Sequence, residues 1–274
     1  MNPRALCAWA LAGVTIALAT GNPMYRLLVL LSALNVLMAL RRPGVSVRGL
    51  LIALALAAAI AVATTTLVSH TGDHAFLVLP PGIPVIGGSL TVEAALFGLS
   101  TGVGIAAAVL AAAPLSLVLE PHALVDALPA ALARTGAAIG TALNLIPGIA
   151  RSATEIRDAQ RMRGWRSRRV REWPDLAVPV VLTALEGSIT LAEAMEARGY
   201  GSGTRTHYME DLWHRADVVV ATIAVAAATV FVALRIAGVV SDWYPFPNVT
   251  VPPLSIAGVA CCIALAAPLL VWRR

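Results

Sequence analysis

Apolar runs of a length suited to membrane-crossing helices cover residues 5–20, 24–40, 49–69, 91–118, 218–237 and 254–272. A helix needs about 20 apolar residues to cross a hydrocarbon layer of about 30 Å. The first run is the shortest, at roughly 24 Å of helix. Between the fourth and fifth runs the pattern changes. Leu145, Ile149, Ala153, Ile156 and Gln160 step by four, four, three and four, with Glu155, Arg157, Asp158 and Arg161 largely off that row. Leu182, Leu185, Ile189, Ala192 and Met195 step by three and four, with Glu186, Glu193 and Glu196 largely elsewhere. This spacing predicts two amphipathic helices. Pro147 and Pro179 are expected near their starts, where proline is tolerated, and Gly164 and Gly199 just past their ends, in left-handed caps.

The predicted fold class is therefore all-α: a polytopic membrane protein with about six transmembrane helices. A cytosolic segment of amphipathic helices separates the fourth span from the fifth. The expected divisions are N-terminal transmembrane helices over 1–118, the amphipathic segment over 119–217, and C-terminal transmembrane helices over 218–274. Within the fourth span Gly98, Gly102 and Ala106 recur every four positions. Such small residues let helix backbones approach closely, and packing inside the monomer is the expected use.

Composition agrees with the pattern. The chain is 58% hydrophobic and 13% charged, against about 25% charged in soluble domains. All 20 basic residues are Arg. Without Lys there is no P-loop and no Lys Schiff base, so ATP-driven work must come from a partner. The net charge of +5 does not imply nucleic-acid binding, because topology accounts for it. With six spans, every arginine except Arg26 and Arg235 falls on one side. The positive-inside rule makes that side the cytosol, so both termini and residues 119–217 are expected there, in a multi-pass protein of the cell membrane. The first run does not resemble a cleavable signal, since the Gly21-Asn22-Pro23 turn leads directly into a second apolar run.

Candidate chemistry is sparse. Cys7, Cys261 and Cys262 lie in apolar runs without a spaced framework, which indicates neither a disulfide nor a zinc site. His70, Asp73 and His74 fall in a glycine-containing exterior loop and read as solvated residues rather than metal ligands. No cofactor and no metal site is expected. Two helix endings stand out instead: RDAQRMRGW over 157–165 and LAEAMEARGYG over 191–201, their arginines thirty-five residues apart. A cation near a helix C-terminus interacts favourably with the helix dipole, by about 0.3–1 kcal/mol, so one such ending is commonplace. Two copies on the same side suit a two-point docking device, because each guanidinium is a planar fork of donors for carboxylates or carbonyls.

Met162-Arg163-Gly164 and Ala197-Arg198-Gly199 resemble the paired Ala-Arg-Gly motifs of the T component of energy-coupling factor transporters, the CbiQ/EcfT family. The first copy departs from the pattern in having Met where the small residue stands. EAMEARGYG (193–201) followed by Arg205-Thr206 and Asp217, GGSLTVEAALFGL (87–99) and PHALVDALPAAL (121–132) extend the resemblance over about 85–217. The resemblance implies a coupling subunit whose Arg163 and Arg198 dock into grooves of two ATP-binding-cassette ATPase subunits. It implies that Gly164, Ala197 and Gly199 shape those contacts. Motion would then pass to a separate substrate-binding membrane protein, the S component, for a vitamin or transition-metal ion.

Two other classes fit the sequence less well. An intramembrane enzyme needs reactive groups within the spans, and no histidine lies in one; no H-E-x-x-H motif occurs either. A self-sufficient secondary transporter usually carries ionisable groups inside the membrane. The spans read as nearly free of them, with Glu93 and Arg235 near ends.

The topology is open to direct test. In a cysteine-free background, membrane-impermeant maleimide added from outside is expected to label cysteines at positions 72 and 248 and to spare positions 45, 166 and 205. Labelling at 166 from outside would place the amphipathic segment on the wrong face.

Overall fold

The structure is a computed structural model that describes residues 2–41, 46–69, 71–78, 88–128, 132–165, 173–200 and 213–272. The chain enters helix α1 (Pro3–Ala19) and then α2 (Pro23–Leu40) through matching starts. In each, an Asn side chain (Asn2, Asn22) accepts a backbone N–H two residues on, and Pro occupies the first helical position. Proline fits there because its missing N–H would have no helical partner. Helix α3 spans Arg48–Val68. A short antiparallel pair follows, β1 (Ala75–Val78) with β2 (Ser89–Thr91), registered Ala75 to Thr91 and Val78 to Ser89. Strand β2 runs directly into α4 (Val92–Leu117), whose N-cap Thr91 accepts the Ala94 N–H. Helices α5 (Pro121–Asp126), α6 (Ala133–Met162) and α7 (Pro174–Ala197) come next, then α8 (Arg215–Ile236), α9 (Ile256–Ala264) and α10 (Ala267–Val271).

Two compact units emerge. One joins residues 1–120 to 212–274, so the two terminal stretches of the chain share a core; the other is residues 121–211. In the first unit α4 is the central helix, packed by α1, α2 and α3, while α8 closes against α1 and α9. Its core includes Leu6, Trp9 and Ile16 of α1, Tyr25 and Val29 of α2, and Leu110 of α4, all essentially inaccessible. In the second unit α6 packs against α5 and α7, and no residue of α7 is buried.

The all-α polytopic class is as expected, apart from the two short strands. Five helices are long and apolar enough to cross a membrane. Four correspond to the expected second to fifth spans. The fifth is α7, with the lowest mean hydropathy of the set, 1.5 against 2.4 for α3; this is the helix the pattern assigned to the amphipathic segment. The first expected span is α1, 17 residues long.

Three expectations need correcting. The sixth span, over 254–272, is not one helix but α9 and α10 with a break at Leu265 and Ala266. Pro268 supplies no N–H, and Leu269 N–H turns to the Ala266 carbonyl rather than to Leu265. The freed Leu265 carbonyl accepts the Trp9 indole N–H at 2.8 Å, so the break is fixed by a bond to α1. Pro147 lies in the interior of α6, because that helix starts at Ala133, well before the apolar row begins. The fifth span starts at Arg215 rather than 218, which brings Asp217 into its first turn.

The Gly98–Gly102 stripe faces α3. A Cβ on Gly98 would stand 2.8 Å from the Val62 Cα, and one on Gly102 would stand 2.8 Å from the Ala58 Cα. Both obstacles are backbone, which cannot swing aside. Gly72 has the same problem for another reason: its φ is +133° and an added Cβ would lie 2.6 Å from Glu93 Oε2. A cysteine there is strained, so the exposed neighbour Asp73 is the sounder exterior reporter for the labelling test.

Gly102→Leu should therefore force α3 and α4 apart and destabilise the bundle by about 1–3 kcal/mol or more. Gly49→Leu, at an α3 position with nothing within 4 Å, should be nearly neutral. Thermal denaturation of the purified variants in detergent, followed by loss of the monodisperse peak, checks the contrast; equal melting points would show that the α3–α4 approach is not tight.

Candidate functional site: two matched helix ends

Helix α6 ends in a cap of defined geometry. Arg163 is the C-cap, with φ −82° and ψ 6°, and Gly164 follows at φ +88°. Gly164 N–H donates to the Arg161 carbonyl at 3.0 Å and Trp165 N–H to the Gln160 carbonyl at 3.0 Å. Helix α7 repeats this. Arg198 is its C-cap at φ −87° and ψ 6°, and Gly199 follows at φ +73°. Gly199 N–H donates to Glu196 at 2.8 Å and Tyr200 N–H to Met195 at 2.9 Å. These crossed bonds satisfy carbonyls that the helix leaves open at its end, and the left-handed residue between them favours glycine. The aromatic residue after each glycine is the one that closes the wider bond.

The glycine turns the backbone back, while the preceding arginine remains at the tip of the helix. Arg163, Arg198 and Ala197 are all exposed. Among the described residues neither guanidinium pairs with a carboxylate; Asp158, the acid near the α6 end, lies 3.9 Å from Arg161 and 3.7 Å from Arg157 instead. Within the described residues each fork of donors is thus open to a partner. The surroundings differ in charge: Arg157 and Arg161 flank the first end, Glu193 and Glu196 the second.

The apolar row of α7 is likewise uncovered in the isolated chain, with Leu182, Leu185 and Ile189 all more than half exposed. The α6 row is partly sheltered, Leu145, Ala153, Ile156 and Gln160 being half-buried and Ile149 exposed.

Sequence reasoning missed a second kind of feature, buried acids within the bundle. Glu93, in the first turn of α4, has no accessible surface. Its Oε1 meets His74 Nδ1 at 2.7 Å and the His74 N–H at 3.3 Å. His74 is therefore not merely a solvated loop residue, although its ring is largely exposed; His70 lies outside the described residues. Asp217 is 1% exposed, accepts the Trp272 indole N–H at 3.0 Å, and has His214 Nδ1 at 3.6 Å, too long for a hydrogen bond. Arg26 reaches from α2 to the Ser100 carbonyl (2.9 Å) and hydroxyl (3.2 Å) on α4. Glu93, Asp217 and Arg26 all lie within the first four residues of their helices, near the span ends as expected; what the sequence did not indicate is that both acids are buried. The available signal was an acid in the first turn of an apolar helix, where the dipole favours negative charge. Among the described residues no group of three or more His, Cys, Asp or Glu is placed to hold a metal ion.

Comparison with known proteins adds a family. The model of CbiQ, described as a cobalt transport protein, matches residues 1–208, which include both helix ends. A search of curated proteins gave no match. The match covers well over half of the chain, and the chain belongs to the CbiQ family, a family of membrane transport components rather than enzymes.

Proposed function

We propose that this CbiQ-family chain is the transmembrane coupling subunit of an energy-coupling-factor importer. Arg163 and Arg198 are its contacts with two cytosolic ATP-binding-cassette subunits, and a separate S component binds the substrate. The observation that carries this reading is the duplicated ending: two long helices, each closed by the same glycine cap and each presenting an exposed arginine at its tip that pairs with no carboxylate among the described residues. Local capping needs the glycine, but it gives no reason to repeat an Arg-Gly-aromatic order twice within one unit. The absence of Lys, and so of a P-loop, leaves ATP hydrolysis to the partners.

In this reading residues 119–217 and both termini face the cytosol, the segments 1–118 and 218–274 form the membrane part, and Gly164, Ala197 and Gly199 keep the contact points slim. The uncovered apolar row on α7 suits contact with the membrane partner that α6 and α7 would move.

The arginines give the decisive experiment. If they only complement the helix dipole, Arg→Ala costs at most about 1 kcal/mol of helix stability and the assembly survives. If each fork is buried in an ATPase groove, truncation leaves the groove's acceptors unpaired and weakens association by about 2–5 kcal/mol. Arg163→Ala with Arg198→Ala should then abolish recovery of ATPase subunits on a tagged chain and abolish uptake, with the membrane protein still inserted. Arg→Lys should restore only part of both, because an ammonium cannot reproduce the fork. Normal ATPase recovery and uptake by the double Ala chain would overturn the coupling role.

Substrate selection is assigned elsewhere, so the purified single chain should bind neither vitamins nor divalent transition metals tightly. A specific micromolar dissociation constant by calorimetry would contradict that division of labour.

A further inference from the structure

The β1–β2 hairpin has a surface that neither the helix ends nor the bundle explains. Between His74 and Glu93 the sequence contains no charged residue. Strand β1 is apolar along its length and exposed on both faces: Phe76 is 59%, Leu77 53% and Val78 70% exposed. Side chains alternate across a strand, so a strand apolar on both faces is normally covered on both. Its partner β2 is the inner strand, with Leu90 and Thr91 buried.

The hairpin is also held at a fixed place. Strand β2 continues without a break into α4, a helix long and apolar enough to cross the membrane. The base of β1 is pinned to the first turn of α4 by the His74–Glu93 contact, and Val92 N–H bonds the His74 carbonyl at 3.0 Å. Asp73 N–H donates to the Pro247 carbonyl at 3.3 Å, tying the same loop to the segment after α8. At this end Phe97, Tyr244 and Phe246 form an aromatic cluster with ring centroids 5.1–5.8 Å apart. Aromatic residues gather where spanning helices meet the headgroups.

We propose that β1 is an interfacial membrane anchor: Phe76, Leu77 and Val78 bed into the lipid leaflet at the α4 N-terminal end, at the boundary between headgroups and acyl chains. The depth follows from the backbone. Among the described residues the sheet has two strands, and the outer edge of β1 pairs with no third; the hydrocarbon interior does not tolerate such open N–H and C=O groups. At the boundary, water and headgroups satisfy that edge while the side chains reach the acyl region. The irregular register between Ala75 and Leu77 fits this use, since a bulge bends its strand and re-aims the side chain at that point. The occupant is lipid rather than protein because β1 is paired to β2, which runs directly into the membrane-crossing α4 and so holds β1 at the end of a spanning helix. With no charge in the strand, the attachment depends on apolar contact and needs no anionic lipid. This inference requires only that α4 spans the membrane; it is independent of the coupling role.

Nitroxide labels at Phe76→Cys, Leu77→Cys and Val78→Cys test it, in the full chain with Cys7, Cys261 and Cys262 replaced by Ala. The chain is reconstituted alone in phosphatidylcholine nanodiscs. Collision rates with oxygen, which concentrates in lipid, and with a water-soluble nickel chelate are compared with Asn248→Cys and with Leu99→Cys, exposed on α4. The expected oxygen-to-nickel ratio at all three strand positions is several-fold above that at 248 and below that at 99, and unchanged when phosphatidylserine is added. A ratio equal to that at 248 overturns the proposal. So does protection that appears only when a membrane partner protein is added or when the chain self-associates. If the cysteine-free chain does not insert, Phe76→Trp in the native chain gives the second reading: brominated phosphatidylcholine should quench the added fluorescence, and no quenching overturns the anchor.

Discussion

Helix α4 can occupy the centre of the bundle only because it offers glycine and alanine where its neighbours touch it. Inside a membrane there is no hydrophobic force to draw helices together, since lipid tails are as apolar as leucine. Close contact between backbones has to supply the attraction. Gly98 and Gly102 bring α4 onto the α3 backbone, Gly104 gives room for the Arg26 side chain, and Ala111 meets Gly13 of α1. A larger side chain at these points separates the helices and loses the contact that holds them. The placement of every other element in this unit, including the hairpin at one end of α4, follows from that seat.

Polar groups then fix the relative heights of the helices. Gly21 N–H donates to Asp242 at 2.8 Å, the Ser100 hydroxyl donates to the Gly21 carbonyl at 2.9 Å, and Arg235 is ion-paired with Asp242 while its Nε reaches the Ala19 carbonyl. These bonds link α1, α2, α4 and α8 at one level. At other points Trp9 joins α1 to the break after α9, and Trp272 joins the end of the chain to α8. Apart from the local Arg235–Asp242 pair, these bonds cross between elements far apart in sequence, and the buried ones satisfy groups that would be costly to bury alone. The buried carboxylates Glu93 and Asp217 each use one oxygen in this way and leave the other without a hydrogen bond among the described residues, a costly arrangement in a low-dielectric setting.

The unit over 121–211 follows different physics. Its two main helices, α6 and α7, are long, the apolar row of α7 is uncovered and that of α6 only partly sheltered, and both helices end in local bonds within six residues. Such an element keeps its shape without a deep core but keeps its apolar faces available. That combination suits a part whose partners lie outside this chain.

The split between what could be read along the chain and what could not has a physical basis. Apolar run length located α2, α3, α4 and α8, because crossing hydrocarbon imposes a length on the sequence itself. The two caps were legible as well: a left-handed residue favours glycine, so Gly164 and Gly199 announce their helix ends within a few residues. Tertiary structure decided the rest. The break between α9 and α10 combines Pro268 with an indole from α1, more than 250 residues away in the chain. The start of α6 lies ahead of its apolar row, because helical hydrogen bonding continues through Pro147 at the loss of one bond. Burial of Glu93 depends on a loop that folds back over the first turn of α4, with Gly72 passing too close for any side chain. Sequence periodicity reports which face of an element is apolar; it does not report which other element arrives to cover a single carboxylate, since that is set by contacts between residues that share no local pattern.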